Sequence, residues 1–186
     1  NLPPATDEAK LRTVQEALEE SGFQPRSFRG GRYSSGGIVH RLLRRMGFLV
    51  DASVVPFTTW NEEGAPDYTR RDLLPLRQPP DAEFNSPFWE IPLTLGFTRG
   101  PFAAWAALYR FIERSWLSKL HLVGVLERLR LVRKAWLNFE EPLGREMISF
   151  LELLRHLHLP CVCFTVHSSS LLAGKNHYTP TAREEC

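Results

Sequence analysis

The chain has 186 residues, of which 43% are hydrophobic and 24% are charged, a composition that is typical of a globular domain and excludes disorder over most of its length. Its 23 basic and 21 acidic residues give a formal net charge of +2, which is too balanced to favour nucleic-acid binding. No apolar run approaches the roughly 20 residues that cross a bilayer, so the sequence predicts no membrane span.

The first third of the chain predicts a helix followed by a strand, a helix and a second strand. Apolar residues at helical spacing between Thr6 and Gly22 predict an amphipathic helix that ends at the glycine. PRSF is then a short strand, IVHRLLRRMG is a helix that ends at Gly47, and FLVDASVVP is the second strand. The stretch FRGGRYSSGG follows the first strand, so a glycine loop with two arginines is predicted at the carboxyl end of that strand.

The rest of the chain predicts one long connection and then further strands and helices. Residues 57–87 are rich in proline, glycine and acids, which is typical of a long irregular connection. Beyond it, strands are predicted for FWEIPLTLGF, KAWLNFE and CVCFTVH, and helices for PFAAWAALYRFIERSWLSK, VGVLERLRLVRK and EPLGREMISFLELLRHLHL. Strands that alternate with helices in this way predict an α/β fold with a parallel sheet or a barrel.

Three polar clusters follow predicted strands at their carboxyl ends, where α/β folds place their active sites. They contain Arg29 in FRGGRY, Asp51 in VDASVVP and His167 in VHSSSLLAG. A guanidinium group can hold a carboxylate by two parallel hydrogen bonds, so Arg29 and Asp51 form a candidate pair, with a structural ion pair as the alternative. A histidine at the end of a strand can transfer protons near neutral pH, and a histidine satisfied by a neighbouring carbonyl is the alternative for His167.

Two other kinds of site receive little support from the sequence. The serines 168–170 lack the GxSxG frame of a serine hydrolase, and their alternative role is to form a turn. No HxxxH, CxxC or HExxH spacing occurs in the sequence, so the chain's own residues predict no metal site.

The cysteines and the first residues bear on location. Cys161, Cys163 and Cys186 form no disulfide framework, and the first two lie on one face of a predicted strand, so we expect buried free thiols. The opening stretch NLPPATDEAK has no basic end followed by an apolar run and does not predict a signal peptide. We therefore expect a cytoplasmic protein.

Four stretches of the sequence together resemble a known family. SFRGGRY, MGFLVDASVVPF, WEIPLTLGF and CFTVHSSSLLAGKNHY occur in the order and spacing of the carboxyl-terminal part of NodB-like polysaccharide deacetylases. The resemblance is to a bacterial subgroup with FRAGRYG-like and FHSSSLLPG-like stretches, and it extends from the first helix to about Tyr178. It implies an incomplete (β/α) barrel, truncated at the amino-terminal side, with residues 1–186 forming the carboxyl-terminal part of a single domain.

The resemblance implies catalytic roles for the three residues at the strand ends. Arg29 matches the arginine that orients the catalytic aspartate, and Asp51 resembles the aspartate that holds that arginine. His167 matches the general acid that protonates the leaving amine.

The resemblance also implies substrate-binding positions. Trp60 corresponds to the aromatic wall of the acetyl pocket, although its spacing from Asp51 is longer than usual in the family. Thr165 stands where many members have a leucine, which changes the pocket for the acetyl methyl group. Arg32 is expected to anchor its loop or to bind sugar hydroxyls, and Ser168 is the remaining candidate for substrate binding.

Members of this family are hydrolases that remove acetyl groups from N-acetylated sugars or polysaccharides. They use a divalent metal, usually zinc, which is bound by an aspartate and two histidines of two motifs that are not present in this sequence. We therefore expect a deacetylase fragment that lost those motifs upstream, holds no cofactor of its own, is inactive alone and has a carbohydrate partner. The alternative is a non-catalytic carbohydrate-binding or scaffold protein on the same fold.

Overall fold

The computed structural model describes residues 4–33, 35–59, 66–80, 82–116, 119, 121–129, 131–138, 144–172 and 174. The chain divides into two compact units, Asn1–Leu93 and Thr94–Cys186, which we describe one at a time. Among the described residues, none of the helices has the length and apolar character that a membrane span requires.

The described part of the first unit contains helices and short strands. The helices are α1 (Pro4–Glu20) and α2 (Gly37–Arg45), and the strands are β1 (Ser27–Phe28), β2 (Val50–Asp51), β3 (Leu76–Gln78) and β4 (Phe88–Glu90). They form one sheet in the order β1-β2-β4-β3, in which β1, β2 and β4 are parallel and β3 is antiparallel to β4. The predicted order of strand, helix and strand is confirmed as β1-α2-β2, although β2 covers only two residues of the predicted strand FLVDASVVP.

The end of α2 shows how glycine sets the chain's path into the sheet. Gly47 has a φ of 83°, a left-handed conformation that side chains other than glycine rarely adopt. Its N–H donates to Arg44 O at 3.1 Å, and the N–H of Phe48 donates to Leu43 O at 2.9 Å, the hydrogen-bond pattern of a Schellman motif. Leu43 and Phe48 also share a buried apolar cluster with Phe88 of β4. The helix end therefore directs the chain onto the core and into β2.

The second unit has its own sheet and aromatic core. Its described elements are β5 (Leu95–Phe97), α3 (Phe102–Arg114), α4 (Leu122–Arg128), β6 (Lys134–Trp136) and α5 (Gly144–His156). β5 and β6 are antiparallel, and a 3-10 turn covers Ser168–Leu171. The ring of Phe97 lies 5.2 Å from that of Tyr109 and 6.2 Å from that of Phe102, so α3 packs on β5.

Two predicted strands differ from what the structure contains. FWEIPLTLGF becomes two strands, β4 and β5, which belong to different sheets. CVCFTVH is not a strand, because its backbone finds only scattered partners: Cys163 N donates to Thr94 Oγ1 at 2.7 Å and Thr165 N to Leu137 O at 3.0 Å. The predicted irregular connection over residues 57–87 contains β3.

The cysteine prediction was right in one respect and wrong in another. Cys161 and Cys163 are free thiols, as expected. Cys161 is exposed, however, and the segment that carries it is not a buried strand. Cys186 lies outside the described residues.

The structure is mixed α/β, with one sheet of four strands and one of two among the described residues. The incomplete barrel and the single domain over residues 1–186 stay predictions.

Candidate functional site

The sheet of the first unit brings two of the predicted clusters together. Phe28 of β1 lies opposite Asp51 of β2, so the glycine loop that begins at Arg29 leaves the sheet beside Asp51. Glu90 of β4 lies on the other side of Asp51. Because the three strands are parallel, their carboxyl ends meet at one edge, as α/β folds require for an active site.

Asp51 is the centre of this edge and is fully buried. Its Oδ2 accepts hydrogen bonds from Ser35 Oγ at 2.6 Å and from His40 Nε2 at 2.8 Å. Its Oδ1 accepts from the hydroxyl and, at 2.9 Å, from the backbone N–H of Ser53. Asp51 and Ser53 share a face because side chains alternate along extended backbone. Each carboxylate oxygen therefore accepts two hydrogen bonds.

These hydrogen bonds decide the charge of Asp51. Burial disfavours the charged carboxylate, but the hydrogen bonds from His40, Ser35 and Ser53 outweigh burial and hold the pKa of Asp51 below its ordinary value. Asp51 is therefore an ionised hydrogen-bond acceptor at neutral pH.

The glycine loop is attached to this centre at several points. Gly30 N donates to Ser53 Oγ at 2.8 Å, and Ser35 at the far end of the loop donates to Asp51 itself. Between them, the carbonyl of Tyr33 accepts a hydrogen bond from the hydroxyl of Tyr68 at 3.1 Å. Tyr33 has a φ of 57°, an unusual backbone conformation for a residue other than glycine. The loop is thus held by side chains from outside it.

Tyr68 is held in its neutral form by the same surroundings. Burial, followed by the nearby charges of Asp51 and Glu90, raises its pKa to about 12. Its hydroxyl therefore keeps the proton that it donates to the loop.

A second chain of hydrogen bonds joins His40 to β4. Gln78 Nε2 lies 3.3 Å from His40 Nδ1 and donates to Glu90 Oε1 at 2.9 Å. The other oxygen of Glu90 accepts from Arg71 at 3.1 Å. Glu90 is only 7% exposed, and the His40 ring packs on the ring of Phe88 with 5.2 Å between centroids. Buried charged and polar groups are thereby partnered, as burial requires.

The predicted contact between Arg29 and Asp51 is not formed in the structure. Arg29 is exposed, whereas Asp51 points inward and fills its acceptor positions with Ser35, His40 and Ser53. The aspartate therefore contacts the loop through the Ser35 hydroxyl, and indirectly through Ser53 to Gly30 N, and not through the guanidinium group. The catalytic roles of Arg29 and Asp51 stay predictions.

In the second unit, His167 is exposed and extended, with φ −83° and ψ 134°, directly before the 3-10 turn. Its carbonyl accepts from Ser170 N at 2.9 Å, so the turn fixes its backbone. Thr165 is 7% exposed, and its hydroxyl has no hydrogen-bond partner among the described residues. A buried hydroxyl without a partner costs about 1–3 kcal/mol, which is unusual enough to need a reason.

The other predicted substrate-binding residues are described only in part. The backbone of Arg32 lies in the 3-10 turn Gly31–Tyr33 and that of Ser168 in the turn of the second unit, but their side chains lie outside what the structure describes. Trp60 lies wholly outside the described residues. Their roles stay predictions.

Sequence reasoning missed four residues of the hydrogen-bonded chain: His40, Arg71, Gln78 and Glu90. His40 is isolated in sequence from other histidines. Gln78 lies in the stretch predicted to be irregular, and Glu90 lies in a strand predicted to be apolar. The one available signal was a polar residue, Glu90, within the apolar strand FWEIP. Such residues need a buried partner.

Three pockets in the described part of the chain lie away from these residues. Pockets of about 300, 450 and 570 Å³ in the described surface are lined by other side chains. The Asp51 centre is filled by protein, so contact with a substrate at this edge would fall to exposed side chains such as Arg29.

The described residues do not fit the divalent metal that the family resemblance implies. They contain no group of three histidine, cysteine, aspartate or glutamate side chains placed to bind a metal ion. Asp51 and His40 lie together, but they are hydrogen-bonded to each other and to serine and glutamine. No step of a reaction is therefore assigned to a metal on these residues.

Comparison of the chain with protein-family models, with curated proteins and with solved structures found no match. The resemblance to deacetylases consequently depends on the four sequence stretches alone, and function has to be argued from the geometry of the two units.

Proposed function

We propose that this chain belongs to a sugar N-deacetylase, with Arg29 of the first unit and His167 of the second as its candidate catalytic groups. The observation that carries the proposal is the parallel pairing of β1 and β2, in which the SFRGGRY loop and the VDAS stretch meet at one sheet edge. The hydrogen bond from Gly30 N to Ser53 Oγ, 2.8 Å long, joins these two stretches directly. Two motifs that are distant in sequence are thus neighbours, as a shared role would require.

Hydrolysis of an N-acetyl group needs an acid, because an amine leaves readily only once its nitrogen is protonated. His167 suits this task, since it is exposed and its backbone is fixed by the turn that follows. Imidazole changes charge near neutral pH and is the commonest general acid in enzymes. Its role is to donate a proton to the nitrogen of the leaving amine.

Arg29 suits the positioning of a carboxylate or an acyl oxygen. A guanidinium group offers five N–H donors in a rigid plane, and that of Arg29 is exposed on a loop held at both ends. Asp51 is not the carboxylate that Arg29 would orient, because its own oxygens are occupied by other donors. Its proposed contribution is to hold the loop.

Thr165 provides independent support in the second unit. It lies two residues before His167, and its hydroxyl is buried without a partner among the described residues. The hydroxyl oxygen is inaccessible in the structure, so a bound acetyl group could accept its hydrogen bond only if substrate binding uncovers the hydroxyl. The cost of burying the hydroxyl would then be offset when substrate binds.

The test is release of acetate from N-acetylglucosamine oligomers by the protein as its gene encodes it. We expect acetate release that falls in His167→Ala and Arg29→Ala, while the matched variant His156→Ala, which changes an exposed histidine at the end of α5, keeps its rate. Arg29→Lys should fail nearly as badly as Arg29→Ala, because a single ammonium group cannot reproduce the planar donor geometry.

The two other outcomes are distinct. Binding of the oligomers without acetate release would replace the proposal by a non-catalytic carbohydrate-binding protein. Neither binding nor release would overturn the assignment to N-acetylated sugars altogether.

A further inference from the structure

We propose that His40 is a positioning residue that fixes the arginine-bearing glycine loop, of which the structure describes residues 29–33, 35 and 36, by holding Asp51 through one defined ring tautomer. The effect on turnover rests on the proposed deacetylase function, but the effect on the loop does not. Because His40 lies on α2 and the loop precedes α2, the same short stretch of chain supplies both the loop and the group that fastens it.

Asp51 holds both ends of the loop. Its Oδ2 accepts from Ser35 Oγ at the carboxyl end of the loop. Its Oδ1 accepts from the Ser53 hydroxyl, and the lone pairs of that hydroxyl accept from Gly30 N at the other end. Rotation of the carboxylate would break both attachments together. The orientation of Asp51 therefore determines whether Arg29 stands on a fixed or a mobile loop.

His40 fixes the orientation of Asp51. Its Nε2 lies 2.8 Å from the same Oδ2 that accepts from Ser35, and the ring is packed against Phe88. Asp51 has a lowered pKa and is an acceptor only, so Nε2 must carry the proton of this hydrogen bond. The ring holds the carboxylate only in a form in which Nε2 is protonated.

Gln78 sets that tautomer through its contact with Glu90. Gln78 Nε2 lies between His40 Nδ1, at 3.3 Å, and Glu90 Oε1, at 2.9 Å. Glu90 is paired with Arg71 and therefore accepts, which obliges Gln78 to turn its amide N–H groups and not its carbonyl oxygen towards both neighbours. Nδ1 of His40 then accepts one of these N–H groups and carries no proton. The hydrogen bonds that link Arg71, Glu90 and Gln78 thus select the tautomer of His40 with the proton on Nε2.

The ion pair of Arg71 and Glu90 consequently acts on the loop through Gln78, His40 and Asp51. Each link is a hydrogen bond between named atoms, and the donor and acceptor roles are consistent along the whole chain. Carboxylate and histidine pairs in enzymes often activate a nucleophile. Here the pair of Asp51 and His40 holds a loop in place.

The test uses two substitutions of His40 that differ in which ring nitrogen they imitate. The amide nitrogen of glutamine reaches the position of Nε2, whereas that of asparagine reaches only the position of Nδ1. Trypsin provides the readout, since it cuts after Arg29 and Arg32 only when the loop is mobile. We expect His40→Gln to resist cleavage like the wild type, and His40→Asn to be cut roughly 10- to 100-fold faster, the range for losing a buried hydrogen bond to a charged group.

Cleavage after Arg99, an exposed arginine in the second unit, is the internal control and should be equal in the three proteins. Equal cleavage after Arg29 in both variants would overturn the proposal. A loop that is cut rapidly in the wild type would also overturn it.

A measurement on the wild type decides the matter if His40→Asn does not fold. The ring ¹⁵N signals of His40 distinguish the two neutral tautomers, and we expect the proton on Nε2. A proton on Nδ1 would overturn the proposal. Neither experiment involves a sugar, so failure of acetate release would count against the proposed function and leave this inference standing.

Discussion

The edge of the first sheet around Asp51 and the segment over residues 161–172 of the second unit are opposite in construction. At Asp51 the polar groups are buried and hydrogen-bonded to one another. In the second unit Val162 and Phe164 are about half exposed, at 51% and 50%, and the Thr165 hydroxyl has no partner among the described residues. The first region supports a loop with the chain's own hydrogen bonds, whereas the second exposes apolar side chains and buries a hydroxyl that makes no such bond among the described residues.

The largest effect should come from the exposed side of this comparison. His167→Ala should lower kcat of the proposed deacetylase by roughly 10²- to 10⁴-fold with little change in KM, the range for removing a general acid. Stability should change by less than about 0.5 kcal/mol, because the side chain is exposed. Steady-state kinetics together with urea unfolding checks both expectations. An unaltered kcat would show that His167 has no catalytic role.

The buried side should respond in the opposite way, through stability. Asp51→Ala removes the acceptor for Ser35, His40 and Ser53 and leaves their donors unpaired in the interior, so the free energy of unfolding should fall by about 3–5 kcal/mol. Urea unfolding measures this loss. Glu16→Ala, which removes an exposed carboxylate from α1, is the matched control and should cost little. A small loss in Asp51→Ala would mean that the hydrogen-bonded centre does not stabilise the unit.

The pH dependence of stability tests the same centre with a smaller effect. The pKa of Asp51 is lower in the folded protein than its ordinary value of 3.8. Between the folded pKa and the ordinary pKa, the unfolded chain therefore binds the proton more readily than the folded protein does. The stabilisation is therefore fully present above about pH 3.8 and is lost as the pH falls through the folded pKa. Unfolding free energies of the wild type and Asp51→Asn, measured from pH 6 downwards, should converge at the acidic end. A constant difference would contradict the assigned charge.

The smallest expected effect is on the free energy of unfolding, when each of two buried threonines of the second unit is replaced by valine. Thr165→Val should raise the free energy of unfolding by about 1 kcal/mol, because it removes a buried hydroxyl without a partner. Thr94→Val should lower it by a similar amount, since Thr94 Oγ1 accepts from Cys163 N at 2.7 Å. Thermal or urea unfolding of the two variants checks the opposite signs. A loss of stability in Thr165→Val would show that its hydroxyl has a partner in the free protein.

The local elements of the first unit could be predicted because their signals lie close together in sequence. Helical spacing followed by Gly22 or Gly47 predicts where a helix ends, and both glycines have positive φ angles. Parallel pairing of the strands on either side of α2 follows from the strand, helix and strand order.

The hydrogen-bonded centre could not be predicted, because its members meet only through the sheet order. Gln78 and Glu90 come together through the antiparallel pair of β3 and β4, and β4 then joins β2 beside Asp51. Nothing local in the sequence indicates that β4 inserts between β2 and β3. The expected contact between Arg29 and Asp51 failed for a related reason: residue type predicted an ion pair, but Asp51 points into the interior while Arg29 is exposed.

The Schellman motif at Gly47 has a consequence for how the chain tolerates changes in length. It fixes the residue at which the helix ends and extended backbone begins. Asp51 follows four residues after Gly47, and its side chain points inward. Side chains of extended backbone alternate between two faces, so inserting or deleting one residue between Gly47 and Asp51 would turn the carboxylate outward and bring a neighbour inward. An insertion of two residues would restore the face but move the carboxylate about 6–7 Å along the strand, away from Ser35 and His40, so the number of residues between that glycine and that aspartate is fixed.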